Sequence, residues 1–108
     1  MNYLIIAAGG NGERMGSNNN KIFLKINKKQ ILYWTLKIFE KNSIIDAVII
    51  SAKSSDQAKI KDIIMKNHIK KVIAVVPAGK SRQETVLNAL DWLKTKKKKH
   101  DLIGIHNA

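Results

Sequence analysis

Cysteine is absent from this 108-residue sequence, proline occurs once, and only two of the twenty basic residues are arginine. Without cysteine there is no disulfide, no thiolate metal site and no cysteine nucleophile, and the chain needs no oxidising compartment. Long apolar runs are also lacking. The longest uninterrupted ones span only a few residues, which is too short to cross a bilayer. No basic segment precedes the first apolar run, Tyr3-Leu4-Ile5-Ile6, so no signal peptide is expected and the cytoplasm is the expected location. What is present is 44% hydrophobic residues in short periodic runs, enough for the core of one small domain and contrary to wholesale disorder.

Acidic residues are scarce: eight against twenty basic ones, a formal net charge of +12. Such an excess attracts phosphates without regard to sequence, which raises a lysine-rich nucleic-acid-binding α/β domain as one reading. The type of base argues against it. Arginine, the usual residue for bidentate phosphate and guanine contacts, is confined to Arg14 and Arg82. Lysine, isoleucine and asparagine number 18, 17 and 10, a bias that scatters lysines over solvated faces. The one dense run, Lys94 to Lys99, falls where a helix gives way to a strand, and a helix C-terminal dipole accounts for it.

Along the chain, apolar runs alternate with amphipathic segments. Residues 3–8, 46–52, 71–76 and 101–106 read as buried strands, each continuously apolar. Helices are expected over 30–41, 55–67 and from Ser81 to about Thr95. Ser54 with Gln57, and Ser81 with Glu84, have the spacing of capping boxes. Inward faces are assigned to Ile31, Leu32, Tyr33, Leu36, Ile38 and Phe39, then to Ile60, Ile63 and Ile64, then to Val86, Leu87, Leu90 and Leu93. Residues 21–26 alternate weakly and suit a short extended piece. This order predicts an α/β fold with a mostly parallel sheet, helices on both faces and the ligand at the carboxyl ends of the strands. Polar loops fall on that edge: 9–20, 51–55, 77–82 and His106-Asn107. The chain stops right after the fourth strand, so it is expected to be a truncated piece of a larger domain.

The sharpest feature is Ala8-Gly9-Gly10-Asn11-Gly12-Glu13-Arg14-Met15-Gly16, followed by Lys21. Three glycines in four positions after a strand let backbone amides approach a ligand and form an anion-binding concavity, with Arg14 and Lys21 adding charge. A polyphosphate fits that chemistry. The dinucleotide fingerprint does not: Met15 stands where its third glycine is needed, and no acid lies between Glu13 and Glu40. A P-loop fails too, because Gly79-Lys80 has no partner glycine at the required distance.

This segment, with Lys21 and Phe23-Leu24, resembles the GGxGxRMG…K signature of the sugar and polyol nucleotidyltransferases. Ala78-Gly79-Lys80-Ser81-Arg82-Gln83-Glu84-Thr85-Val86 is similar to a second motif, GG-x-x-R-x-x-S-V, and Ile105-His106-Asn107-Ala108 to a third, a hydrophobic-His-Asp-Ala strand end. The three in this order resemble the 2-C-methyl-D-erythritol 4-phosphate cytidylyltransferase family. The resemblance implies a Rossmann-like nucleotidyltransferase fold, of which residues 1–108 would be the N-terminal, CTP-binding part, inactive by itself. It implies condensation of CTP with a polyol phosphate, release of pyrophosphate, Mg²⁺ as cofactor and a homodimer for the full-length chain. Arg14 and Lys21 would be the catalytic residues, stabilising charge on the phosphates. Ala8, Gly9, Gly10, Asn11 and Gly12 would wrap the triphosphate or ribose. Gly79, Lys80 and Thr85 would line the cytosine pocket, Arg82 would hold that loop or touch the nucleotide, and Asn107 and Ala108 would lie near the ribose and the metal.

Departures from the family pattern are specific. Gly9 stands for a second alanine, Lys80 for a residue that is often acidic, and Thr85 for serine. Asn107 replaces the aspartate that binds the metal, and a neutral amide is a weaker ligand for a hard cation. A ribitol- or other polyol-phosphate cytidylyltransferase shares these motifs. His106 is expected to be packed and hydrogen-bonded, His68 and His100 to lie in surface turns, and Trp34 and Trp92 to be core or half-buried. Asp46, Asp62, Asp91 and Asp101 have no pairing that suggests a metal site.

Overall fold

The structure is a computed structural model that describes residues 1–9, 21–94, 96 and 101–107, with Lys21 described for its backbone only. Its elements follow the order β1 (Asn2–Ala8), a 3₁₀ turn (Lys21–Phe23), β2 (Lys25–Ile26), β3 (Lys29–Gln30), α1 (Ile31–Glu40), β4 (Ala47–Ala52), α2 (Ser54–Lys66), β5 (Val72–Pro77), α3 (Arg82–Leu93) and β6 (Leu102–Asn107). The four long strands form one sheet in the order β5-β4-β1-β6, and every pairing is parallel.

Alternation along the two central strands builds a core on each face of the sheet. Leu4, Ile6 and Ala8 of β1 and Val48, Ile50 and Ala52 of β4 join Leu32 and Leu36 of α1 and Ile60 and Ile63 of α2. Tyr3, Ile5, Ala47 and Ile49 face the other way, against Ala89 and Leu93 of α3. Both strands are therefore buried on two sides, which is why they read as continuous apolar runs. The outer strand β6 is less covered, with Leu102 67% and Ile105 49% exposed.

Four local expectations are corrected. First, residues 21–26 are not one extended piece: Lys21–Phe23 form a 3₁₀ turn, and Lys25–Ile26 open a hairpin in which Lys25 lies opposite Gln30 and Ile26 opposite Lys29. Its turn residues Asn27 and Lys28 have φ of 52° and 70°, as a type I′ turn requires, and the Trp34 indole N–H donates to the Ile26 carbonyl at 2.8 Å. Second, α2 has no side-chain cap: Lys53 is its N-cap, and Gln57 donates to the Ala52 carbonyl instead. Third, Ile38 and Leu87 face solvent, 65% and 53% exposed, because the sheet covers a narrower arc of α1 and α3 than their apolar patterns suggest. Fourth, α3 ends at Leu93. Trp92 is half-buried and Trp34 is 38% exposed.

Candidate functional site

Parallel strands carry their last residues to one edge. Register sets Ala7 beside Ser51 and Asn107, and Ala52 beside Ala8 and Pro77. Ala8 is 1% exposed and ends the buried part of β1. Gly9 follows directly, and a Cβ there would stand 3.0 Å from Ala78 Cβ and 3.0 Å from Thr85 Oγ1. The first glycine of the loop is thereby packed against Ala78, just after β5, and against Thr85 of α3, which are 69 (78 − 9) and 76 (85 − 9) positions further along the chain.

That segment is tightly organised. Ala78 donates its N–H to the Ala52 carbonyl at 2.9 Å, extending the ladder one step past Pro77. Gly79 then turns beneath Glu84, where any Cβ would overlap the Glu84 Cβ and Cγ. Thr85, 3% exposed, accepts the Gly79 N–H on Oγ1 at 3.0 Å and donates to the Ser81 carbonyl at 2.9 Å. Ser81 is the N-cap of α3, its Oγ accepting the Glu84 N–H at 3.1 Å, so this capping position is filled as expected. Thr85 lies in the first turn of the helix and its hydroxyl shapes the loop. Lys80 projects into solvent at the tip.

Arg82 reaches across to the end of β6, where its Nε donates to Asn107 Oδ1 at 2.7 Å. This bond ties the β5–α3 loop to the outer strand. It also tests the metal assignment. The Asn107 amide oxygen already serves a guanidinium, and a divalent cation beside that fixed positive charge would be repelled. Among the described residues there is no group of three histidine, cysteine or acidic side chains that could hold a metal. Asn107 in this arrangement does not fit a metal ligand.

His106 packs edge-on against Phe39 at 5.2 Å between ring centroids, and its buried Nδ1 has no hydrogen-bond partner among the described residues. It is packed as expected but not hydrogen-bonded there. His68 is exposed in a turn with φ of 54°. Gly10, Asn11, Gly12, Arg14, His100 and Ala108 lie outside the described residues, as does the side chain of Lys21. The Lys21 backbone opens the 3₁₀ turn whose next residue, Ile22, is buried in the same cluster as Ala8 and Ala52. One residue of the network had no sequence signal beyond being a serine in an apolar strand. Ser51, fully buried, donates to the Thr85 carbonyl at 2.8 Å and approaches the Pro77 carbonyl at 3.1 Å.

Residues 2–108 match the family model of 2-C-methyl-D-erythritol 4-phosphate cytidylyltransferase. The chain belongs to this family. It is 39% identical over 107 residues to the 2-C-methyl-D-erythritol 4-phosphate cytidylyltransferase of Clostridium tetani, covering 99% of this chain and 42% of that protein. With a relative of the same name from Clostridium botulinum strain 657 the identity is 41%, covering 99% and 45%. A crystal structure of 4-diphosphocytidyl-2C-methyl-D-erythritol synthase shares the fold with a TM-score of 0.75 at 24% identity, over 98% of this chain and 44% of that one. The corresponding synthase from Anaerococcus prevotii gives 0.74 at 21%, over 99% and 42%. The chain thus spans less than half the length of these cytidylyltransferase relatives, and no helix among its described residues is long and apolar enough to cross a membrane.

Proposed function

We propose that residues 1–108 are the CTP-binding part of a single nucleotidyltransferase domain, acting in the transfer of a cytidylyl group from CTP to 2-C-methyl-D-erythritol 4-phosphate in the cytoplasm. The observation that carries this reading is the meeting of Ala8, Gly9, Gly79 and Thr85 at the carboxyl edge of the sheet. In the reaction, an oxygen of the acceptor phosphate attacks the α-phosphorus of CTP in line. The α–β phosphoanhydride bond breaks, its electron pair leaves on pyrophosphate, and a 4-diphosphocytidyl product remains.

On this reading the chain's own part is to position the nucleotide and neutralise charge. Gly9, kept bare by Ala78 and Thr85, lets the strand end approach the ribose and phosphates, and Arg14 and Lys21 take the charge that builds on the α-phosphate and the leaving group. Gly79 and the backbone of Lys80 read the cytosine edge, while Arg82 holds the loop to Asn107. Mg²⁺, when bound, would supply further neutralisation of the triphosphate charge. No described residue is assigned to it, and no step runs through it.

Titration calorimetry with CTP, UTP, ATP and GTP tests the reading. Preferred binding of CTP, lost in Arg14→Ala and Lys21→Ala, is the expected result. Equal affinity for all four would defeat the cytidine assignment. Oligonucleotide binding that falls steeply with salt and ignores Arg14→Ala would favour the nucleic-acid reading instead.

A further inference from the structure

Ser51 is the single hydroxyl in the buried strand Ala47-Val48-Ile49-Ile50-Ser51-Ala52, and it is 0% exposed. A hydroxyl in that position is costly unless it is hydrogen-bonded. Its partners are the carbonyls of Thr85 at 2.8 Å and Pro77 at 3.1 Å, one on each side of the loop 78–84. Pro77 ends β5 and Thr85 lies in the first turn of α3, so one side chain joins the loop's entry to its exit. Thr85 passes the constraint on, because its own hydroxyl holds the Gly79 amide. Asn88 adds an outer brace, its Nδ2 donating to the same Pro77 carbonyl at 2.9 Å.

We infer that Ser51 is a positioning residue for base recognition: through Thr85, which holds the Gly79 N–H, it sets the placement of the Gly79 carbonyl and the Lys80 backbone and hence the preference for cytosine. This rests on the reading of the loop as a cytidine site. Ser51 touches no nucleotide itself. It acts by fixing, from inside the sheet, the distance between a strand end and a helix start that Asn88 braces from outside. The adjacent apolar residues Ile49 and Ile50 fill space equally well but bond nothing, so removing volume and removing this hydroxyl should have separable consequences.

The test compares Ser51→Ala with Ile49→Val, a small truncation on the same strand and the same face, in the whole 108-residue chain. Amide spectra and calorimetry with CTP and UTP are recorded for each. Ser51→Ala should shift the Gly79 and Thr85 amide resonances, speed Gly79 amide exchange and cut the CTP-to-UTP affinity ratio several-fold, while Ile49→Val leaves the ratio as in the wild type. Should Ser51→Ala fail to fold, Asn88→Ala removes the outer brace from a half-exposed position and should give the same changes in weaker form. Unaltered Gly79 resonances and an unaltered ratio in the folded variants would overturn the inference, as would an equal loss of ratio in Ile49→Val. If the wild type binds no CTP, the cytidine reading and the base-recognition role both fall. The clamp itself is still decided by the Gly79 amide.

Discussion

The hydroxyl of Thr85 accepts the Gly79 amide proton at 3.0 Å while giving its own proton to the Ser81 carbonyl at 2.9 Å. A loop residue and a helix residue six positions apart are thereby locked together at 3% exposure of Thr85. Serine offers the same two bonds, so the departure from the family's serine preserves the chemistry. Thr85→Val keeps the shape and strands the Gly79 amide, which should cost about 1–3 kcal/mol, whereas Thr85→Ser should lose less. Urea unfolding of the two variants at one pH measures the difference.

The two glycines of this edge should respond unequally to alanine. At Gly9 the new methyl would press on the Ala78 Cβ and the Thr85 Oγ1 from 3.0 Å, a crowding that a shift of a few tenths of an ångström can relieve. At Gly79 it would overlap Glu84 at Cβ, an atom fixed to the helix backbone. Gly79→Ala is expected to cost on the order of 1–3 kcal/mol, and more than Gly9→Ala. Thermal unfolding ranks them.

The link between Arg82 and Asn107 should be visible without any nucleotide. Both side chains are exposed, so breaking the link should barely move the unfolding midpoint. The Arg82 Nε–H resonance should be protected in the wild type and lose that protection in Asn107→Ala. Asn107→Asp should keep it and make it sensitive to salt, since the acceptor becomes a carboxylate.

Core and surface isoleucines should separate cleanly. Ile6→Ala deletes a fully buried side chain between β1 and the helices α1 and α2, with an expected loss of about 2–5 kcal/mol. Ile38→Ala, on a residue that the helical pattern alone assigns inward, should stay within about 0.5 kcal/mol. A helix that buried Ile38 in solution would reverse this ranking.

The four strands, the three helices and their order were legible in the sequence, because each rests on local periodicity and local backbone chemistry. Leu4, Ile6 and Ala8 alternate with Tyr3 and Ile5 whatever surrounds them, and a strand needing cover on two faces implies the three layers observed. The motif residues Gly79, Arg82 and Thr85 were also legible, as was the Ser81 cap. Other details required the folded molecule. The turn at Asn27-Lys28 depends on positive φ at a lysine, which composition does not announce, and on the Trp34 indole that pins the strand before it. The exposure of Ile38 and Leu87 depends on how far the sheet reaches under each helix. Arg82 meeting Asn107, and Ser51 meeting Thr85, join residues 25 and 34 positions apart. Sequence by itself determined which segments would be strands and helices and in what order they would follow. Tertiary structure alone decided which hydroxyl clamps that edge and which group occupies the Asn107 oxygen, since those are pairwise distances set by the packing of a parallel sheet against α3.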